Sequence, residues 1–162
     1  MARFVLTRRS PLPPAVCWER LTAWPRHGDR VPFTLVTVVR GGGGRAGDAI
    51  LARTVIGPFR FDDPMEIVGL TAPSAGRDGL CRLEKRGRLV LGWAELRVRA
   101  PGQGAGQAGE TGEAAWSEVT WTEELRVARL PALLDPLVAR AGRLVFGRVL
   151  DQLLEPGAAA TA

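Results

Sequence analysis

Two side chains in this sequence have the chemistry for proton transfer, although they lie far apart along the chain. His27 is the only histidine, and its imidazole has an ordinary pKa close to neutrality. Glu123 lies in the segment VTWTEEL, where strand alternation places it on the same face as Trp121. A carboxylate on an apolar face needs a partner, or burial raises its pKa. His27 and Glu123 are therefore the candidate catalytic groups, each as a general acid or base.

Both residues also have a structural interpretation. His27 follows Trp24-Pro25 and could pack or cap in that corner. Glu123 could form a structural ion pair, for which Arg53 and Arg82 are the candidate partners, or it could be solvated at a strand end. If its face of the sheet is concave, Glu123 would instead be a proton acceptor or a ligand anchor. The polar end of a ligand would be fixed by a few groups among His27, Arg53 and Glu123.

The remaining chemically capable residues do not indicate a metal or cofactor site. Asp62 and Asp63 are adjacent, so in a strand they would face opposite sides, and turn formation through their side chains is the expected role. Cys17 and Cys81 are isolated and are expected to be small buried apolar residues. With one histidine and no CxxC pair, a zinc site lacks ligands. The sequence therefore calls for no metal and no cofactor.

The net charge of +5 does not by itself indicate nucleic-acid binding. Of the 22 basic residues all but Lys85 are arginine, and they are scattered along the chain rather than clustered, so nucleic acid is not an expected partner. No apolar run is long enough to span a bilayer, and the N-terminus lacks a secretory pattern, so a cytoplasmic location is expected. The 162 residues fit one domain, placed at 1–156, with a disordered tail at 157–162. A homodimer is left open.

Strand and turn patterns predict one strand, short proline-initiated helices and then six more strands. Four consecutive glycines, Gly41 to Gly44, precede a strand rather than a helix, which indicates a hairpin and not a phosphate loop. Strands joined by such short turns must be antiparallel. The predicted strands are 2–8, 33–40, 49–56, 65–71, 80–85, 88–99 and 116–127, with 57–64 a loop or irregular strand edge and 101–114 a mobile hairpin tip.

A long amphipathic helix, from Leu130 to Glu155, follows the last strand. Its apolar side is expected to face the sheet: Leu134, Val138, Ala141, Val145, Val149 and Leu153. The first four of these are also candidate ligand-binding residues. Such a helix cannot bury this side alone, so the strands must wrap around it and enclose a space. Trp121 is a candidate lining residue of that space. The small residues Gly92 and Ala94 leave room either for a ligand or for close approach of the helix.

The order of elements and several short segments resemble the START-like superfamily, and within it the polyketide cyclase/dehydrase-type proteins of actinobacteria. The segments are Ser10-Pro11 with Trp18, and residues 24–28 (WPRHG), 61–65 (FDDPM), 85–87 (KRG), 92–94 (GWA) and 121–125 (WTEEL). The resemblance implies an α+β helix-grip fold, a curved antiparallel sheet of about seven strands around a long C-terminal helix in the order β-α-α-β6-α. Members bind lipids, sterols, polyketides or plant hormones in a hydrophobic cavity, and a few catalyse aldol cyclisation and dehydration.

Three functions are compatible with these features. The first is binding of a small hydrophobic or aromatic ligand, lipid- or polyketide-like, between the sheet and the C-terminal helix, with an opening near Gly57–Pro64 and the His27 corner. The second is a polyketide cyclase/dehydratase-type enzyme that uses Glu123 and His27. The third is a protein or RNA interaction module that uses the basic surface.

Overall fold

The structure is a computed structural model that describes residues 1–99 and 116–156. The predicted hairpin tip at 101–114 and the predicted tail at 157–162 lie outside the described residues. The strands are β1 (Ala2–Ser10), β2 (Thr34–Arg40), β3 (Ala49–Ile56), β4 (Phe59–Thr71), β5 (Gly79–Arg86), β6 (Val90–Arg99) and β7 (Ser117–Val127). The helices are α1 (Pro14–Thr22), α2 (Pro25–Gly28) and α3 (Asp135–Leu153), with a 3-10 turn at Ala132–Leu134 before α3.

All seven strands form one antiparallel sheet in the order β1-β7-β6-β5-β4-β3-β2. Successive strands from β2 to β7 are neighbours, and β1 joins the sheet beside β7. Helix α3 packs on β1, α1 packs on β6 and β7, and α2 packs on β2 and α3. The helices therefore cover one face of a curved sheet, and the predicted α+β helix-grip arrangement is confirmed.

The segment 57–64 is strand rather than loop for most of its length. The turn between β3 and β4 is confined to Gly57-Pro58, and β4 begins directly after it. Asp62 and Asp63 are consequently strand residues, and the prediction that they form a turn is wrong. Each carboxylate binds a basic residue on a neighbouring strand, one on each face of the sheet, and these cross-strand ion pairs favour the extended conformation.

Helix α3 is shorter than the predicted helix, and its buried side overlaps the predicted one at Val149 and Leu153 only. Its buried residues are Ala139, Gly147, Val149, Leu150 and Leu153. Of the predicted contact positions, Ala141 is exposed, whereas Leu134, Val138 and Val145 are half-buried. The helix carries apolar residues on two sides, and β1 determines which side is covered. Phe4 of β1 stacks on Phe146 with their ring centroids 5.8 Å apart.

The outer side of α3 is also apolar. Leu137 and Leu144 expose 62% and 59% of their surface, and Leu133 in the preceding turn exposes 86%. This second stripe explains why periodicity alone did not select the buried side. No helix in the described part of the chain is both long and apolar enough to cross a membrane.

Candidate functional site

A cavity of about 170 Å³ lies between the concave face of the sheet and helices α2 and α3. Its wall is mostly apolar because each strand contributes only the alternate residues that face inward. Representative lining residues are Val36, Ile50, Ala52, Leu83 and Ala94 from the sheet and Val149 from α3. Trp24 and His27 close the cavity on the α2 side, and Phe146 closes it on the α3 side.

Three charged side chains line this apolar wall and bind one another. Lys85 Nζ lies 2.6 Å from Asp63 Oδ2 and 3.1 Å from Glu123 Oε1. The side chains of Lys85 and Glu123 are only 4% and 2% exposed, and that of Asp63 is 13% exposed. We refer to Asp63, Lys85 and Glu123 as the buried ion cluster. It holds two carboxylates and one ammonium, so its net charge is −1 when both acids are ionised.

The register of the sheet brings the buried ion cluster together. Lys85 on β5 and Glu123 on β7 are not on adjacent strands, because β6 lies between them. The residues of β6 opposite them are Gly92, which pairs with Lys85, and Ala94, which pairs with Glu123. Small side chains on β6 leave the space through which the long lysine reaches the glutamate.

Mutual attraction keeps the ammonium of the buried ion cluster charged. Burial acts to lower the pKa of Lys85, but the charges of Glu123 and Asp63 outweigh it, so the pKa of Lys85 is raised. For Glu123, burial raises the pKa, and the attraction of Lys85 and the hydrogen bond from Trp121 offset this only in part. Glu123 is therefore a stronger base than an exposed glutamate, and Lys85 is too fully protonated to act as a nucleophile.

An aromatic wall connects Glu123 with His27. Trp121 Nε1 donates a hydrogen bond of 3.2 Å to Glu123 Oε2. The Trp121 ring lies 5.7 Å from the His27 ring and 4.9 Å from the Phe146 ring, measured between centroids. The predicted candidates His27, Glu123 and Trp121 thus line one cavity, and Ala94 lines it with them.

His27 is neutral and has one nitrogen available. Its Nε2 lies 2.8 Å from the carbonyl oxygen of Leu21, and because a carbonyl only accepts, Nε2 carries the proton. Burial lowers the pKa of His27, and the hydrogen bond to Leu21 opposes this to a smaller degree. Nδ1 is therefore an acceptor on the only histidine of the chain.

Other predicted site residues lie away from the cavity. Arg53 binds Asp62 through two hydrogen bonds of 2.8 and 2.9 Å on the outer face, because its neighbours Ala52 and Thr54 face inward. Arg82 lies 3.6 Å from the ring centroid of Trp93. Neither arginine is the partner of Glu123.

The predicted helix positions Leu134, Val138, Ala141 and Val145 are not among the lining residues, and Phe146 and Val149 take their place. Gly92 is also absent from the lining. It adopts a φ of +129°, and an added Cβ would collide with the carbonyl oxygen of Glu124. Gly92 therefore permits close approach of two strands rather than contact with a ligand.

Lys85 and Asp63 are the site residues that sequence reasoning missed. Lys85 is the only lysine among 22 basic residues, and it alternates in phase with the buried Cys81 and Leu83. Both signals were present in the sequence. Among the described residues, no group of three His, Cys, Asp or Glu side chains is arranged to hold a metal ion.

The cavity opens at the end where β2, β3 and β4 meet. Val31, Thr34, Thr54 and Phe61 are partly exposed lining residues at this end, and we call them the mouth. The Thr34 and Thr54 hydroxyl oxygens lie 2.8 Å apart. Phe59, at the start of β4, exposes 74% of its surface beside this opening. Of the four mouth residues, Phe61 belongs to the segment Gly57–Pro64 predicted for ligand access, whereas Val31, Thr34 and Thr54 lie outside that segment.

Several solved structures share this fold at low sequence identity. TTHA0849 from Thermus thermophilus aligns with a TM-score of 0.63 and 15% identity over 99% of each chain. The Zhui aromatase/cyclase from Streptomyces sp. R1128 aligns with a TM-score of 0.59 and 14% identity over 94% of this chain and 90% of Zhui. Ara h 8.0201 aligns with a TM-score of 0.52 and 16% identity over 94% of this chain and 97% of that protein.

No protein-family profile matches the sequence, and no curated protein matches it. At identities of 14 to 16% the likeness to the solved structures establishes architecture and not activity. The alignments nevertheless cover 90% or more of each of these chains. The protein therefore has the helix-grip fold.

Proposed function

We propose that this protein binds a small apolar or aromatic molecule in the cavity between the sheet and α3. The observation that carries the proposal is the apolar cavity of about 170 Å³, which contains a buried ion cluster instead of being filled by side chains. Mostly apolar walls with a few fixed polar groups are characteristic of small-molecule sites. The aromatase/cyclase activity in the name of Zhui supports a ring-containing ligand.

The volume favours a compact ligand. An engineered protein cavity of about 150 Å³ accommodates benzene, whereas sites for drug-sized molecules are about 300–1,000 Å³. A molecule with one or two rings fits this cavity better than a long polyketide or a phospholipid.

A cavity-filling variant tests the proposal. Ala52 lines the cavity, so Ala52→Leu should weaken binding of 4-propylphenol by about tenfold or more, through overlap with the ligand. Ala141→Leu is the matched control, because Ala141 is exposed on the outer side of α3. Binding would be measured by titration calorimetry and by NMR. Equal affinities in the two variants, or no binding to the wild type, would reject the proposed site.

An enzymatic function is the second candidate, and the shared cavity of His27 and Glu123 favours it. A cyclase/dehydratase needs a base to remove a proton beside a carbonyl group and a donor to stabilise the developing oxyanion. Neutral His27 accepts at Nδ1, and Glu123 has a raised pKa, so either could accept that proton. Turnover of a poly-β-ketone substrate should fall by about a hundredfold or more in Glu123→Gln or His27→Ala. Unchanged turnover in both variants would eliminate this mechanism.

The third candidate function, a protein or RNA interaction module that uses the basic surface, has no comparable support. On the described outer face, basic residues alternate with acids: Arg97 and Arg82 contact Glu95, and Arg86 contacts Glu66 and Glu84. Such mixed charge does not form the single-sign patch that polyanion binding requires.

A further inference from the structure

We infer that the ligand carries a hydrogen-bond donor, a hydroxyl or an ammonium group, and that the cavity rejects a carboxylate on the same carbon skeleton. This inference rests on the proposed ligand-binding function and narrows it to a chemical class. It follows from counting which hydrogen-bonding groups of the wall are already paired.

The nitrogen donors of the aromatic wall are all occupied. Trp24 Nε1 donates to the carbonyl oxygen of Gly43 at 2.7 Å. Trp121 Nε1 donates to Glu123, and His27 Nε2 donates to the carbonyl oxygen of Leu21. None of these N–H groups is left to bind an acceptor on a ligand.

The three N–H directions of Lys85 are also occupied. They point to Asp63 at 2.6 Å, to Glu123 at 3.1 Å and to Met65 Sδ at 3.9 Å. The only ammonium that lines the cavity is therefore committed to the protein.

The remaining side-chain donors of the wall are the two threonine hydroxyls at the mouth. Thr34 Oγ1 donates to the carbonyl oxygen of Pro32 at 3.3 Å. Thr54 Oγ1 can then donate to Thr34 Oγ1 at 2.8 Å. All six lining residues with side-chain donors, Trp24, His27, Thr34, Thr54, Lys85 and Trp121, are thus paired within the described protein.

Acceptors, by contrast, are in excess. Among the described residues, Asp63 Oδ1 is buried and has no hydrogen-bond partner, although a buried carboxylate oxygen normally has one. Nδ1 of His27 is a second acceptor. The terminal torsion of an aspartate is broad, so a small rotation of the Asp63 carboxylate turns Oδ1 toward a donor in the cavity. A ligand hydroxyl or ammonium supplies the partner that this oxygen lacks.

The charge of the buried ion cluster also favours a ligand with a donor group over a ligand with a carboxylate. When both acids are ionised, the buried ion cluster contributes a net charge of −1 to an apolar space, where charges are poorly screened. Among the described lining residues, a ligand carboxylate would meet two carboxylates and no free donor. Its desolvation would go uncompensated, whereas a phenol or an ammonium gains an acceptor.

Four ligands that share a 4-propylphenyl group test the inference on the wild-type protein. The set is 4-propylphenol, 4-propylbenzylamine, 4-propylanisole and 4-propylbenzoate, with affinities measured by calorimetry at neutral pH. The phenol and the amine should each bind more tightly than the anisole, by about tenfold or more. Unlike the anisole, they can donate a hydrogen bond to a charged acceptor. The benzoate should bind more weakly than the anisole.

Paired amide variants locate the selectivity. Asp63→Asn introduces a donor and removes a charge, so it should reduce the preference for phenol over anisole and strengthen benzoate binding. Asp62→Asn is the control, because Asp62 lies on the outer face with Arg53. This variant should prefer phenol over anisole to the same degree as the wild type. If Asp63→Asn does not fold, the four ligands on the wild type still decide the question.

The outcomes separate the two proposals. Equal affinities for phenol, anisole and benzoate, or tighter benzoate binding, would overturn the donor requirement and leave the ligand-binding function standing. Failure of all four ligands to bind would overturn the ligand-binding function itself, and the donor requirement with it.

Discussion

At the scale of single residues, the buried ion cluster is the costliest feature of this chain. Two carboxylates and one ammonium have left water, and their stability depends on remaining together. Burial of an ion pair is often neutral or unfavourable compared with apolar packing, and loss of one partner leaves an uncompensated charge. The cluster therefore makes the fold sensitive to the identity of Lys85.

Replacing Lys85 with methionine should destabilise the protein by about 3–5 kcal/mol, since two buried acids lose their counter-charge. Urea unfolding at neutral pH measures this change. The control is Arg53→Met, which breaks the exposed pair with Asp62 and should change stability little. Similar losses in both variants would contradict the assignment of Lys85 to the interior.

His27 should make the fold sensitive to mild acid. Its pKa is lowered by burial from the ordinary value of 6.5, so the folded protein holds its proton less tightly than the unfolded chain does. The stabilising contribution of neutral His27 is complete above pH 6.5 and is lost as the pH falls below it, with a limiting slope of about 1.4 kcal/mol per pH unit.

Unfolding free energies of the wild type and His27→Gln between pH 7.5 and 5, a range set around the ordinary histidine pKa, test this expectation. The wild type should lose stability relative to the variant on acidification. Glu123, whose raised pKa acts in the opposite direction, is present in both proteins and cancels from the comparison. Parallel pH profiles would show that His27 is not held neutral.

The sequence predicted some of the residues that line the cavity but not the partner of Glu123. Strand alternation correctly placed Glu123 and Trp121 on one face, and the two share the cavity with His27. The partner of Glu123 was not predictable in the same way, because alternation gives the face of a residue but not its neighbours across the sheet. Arg53 has the right charge and lies on the outer face, whereas Lys85 reaches Glu123 across β6.

At the scale of elements, β6 is the strand that permits the cluster to form. Gly92 has a φ of +129°, a conformation that other residues rarely adopt. It stands between Lys85 and Leu125 in the register. The geometry at this point of the sheet thus depends on one glycine.

Gly92→Ala should be strongly destabilising, by about 2 kcal/mol or more, because the backbone conformation and the close carbonyl of Glu124 both exclude a Cβ. Gly44→Ala is the matched control, because an added Cβ there meets nothing within 4 Å. Thermal unfolding would compare the two variants. A stable Gly92→Ala protein would contradict the described path of β6.

The side of α3 that faces the sheet can be tested with one substitution at two positions. Leu150 is fully buried and Leu144 is 59% exposed. Leu150→Ala should cost about 2–5 kcal/mol, whereas Leu144→Ala should change stability by about 0.5 kcal/mol or less. Chemical denaturation measures both changes, and comparable losses would mean that the helix packs with another side.

The order of elements was easier to predict than the orientation of α3. Short glycine turns and alternating strands fix an antiparallel succession, and the predicted order β-α-α-β6-α matches the structure. Helix periodicity predicted one buried side, of which only Val149 and Leu153 are fully buried, because periodicity does not decide which part of a wide apolar surface faces the sheet. That decision depends on tertiary packing against Phe4 of β1, which periodicity along one helix does not contain.

At the scale of the whole molecule, polarity is arranged along the depth of the cavity. The side chains of Lys85 and Glu123 are almost completely buried, whereas the residues of the mouth are partly exposed. Apolar side chains from most of the strands occupy the wall between these two ends. The described part of the chain therefore contains a path from a partly exposed opening to a charged interior.

This arrangement separates how tightly a ligand is held from how quickly it exchanges. A donor group that enters head first must give up its water before it reaches Asp63, and on leaving it must break that contact before water is available again. We expect slow exchange for 4-propylphenol and fast exchange for 4-propylanisole, visible as separate and averaged NMR signals respectively. Fast averaging of both ligands would place the polar contact at the surface. If instead the phenol exchanges slowly, the depth of the charged groups controls the residence time of the ligand more than its affinity.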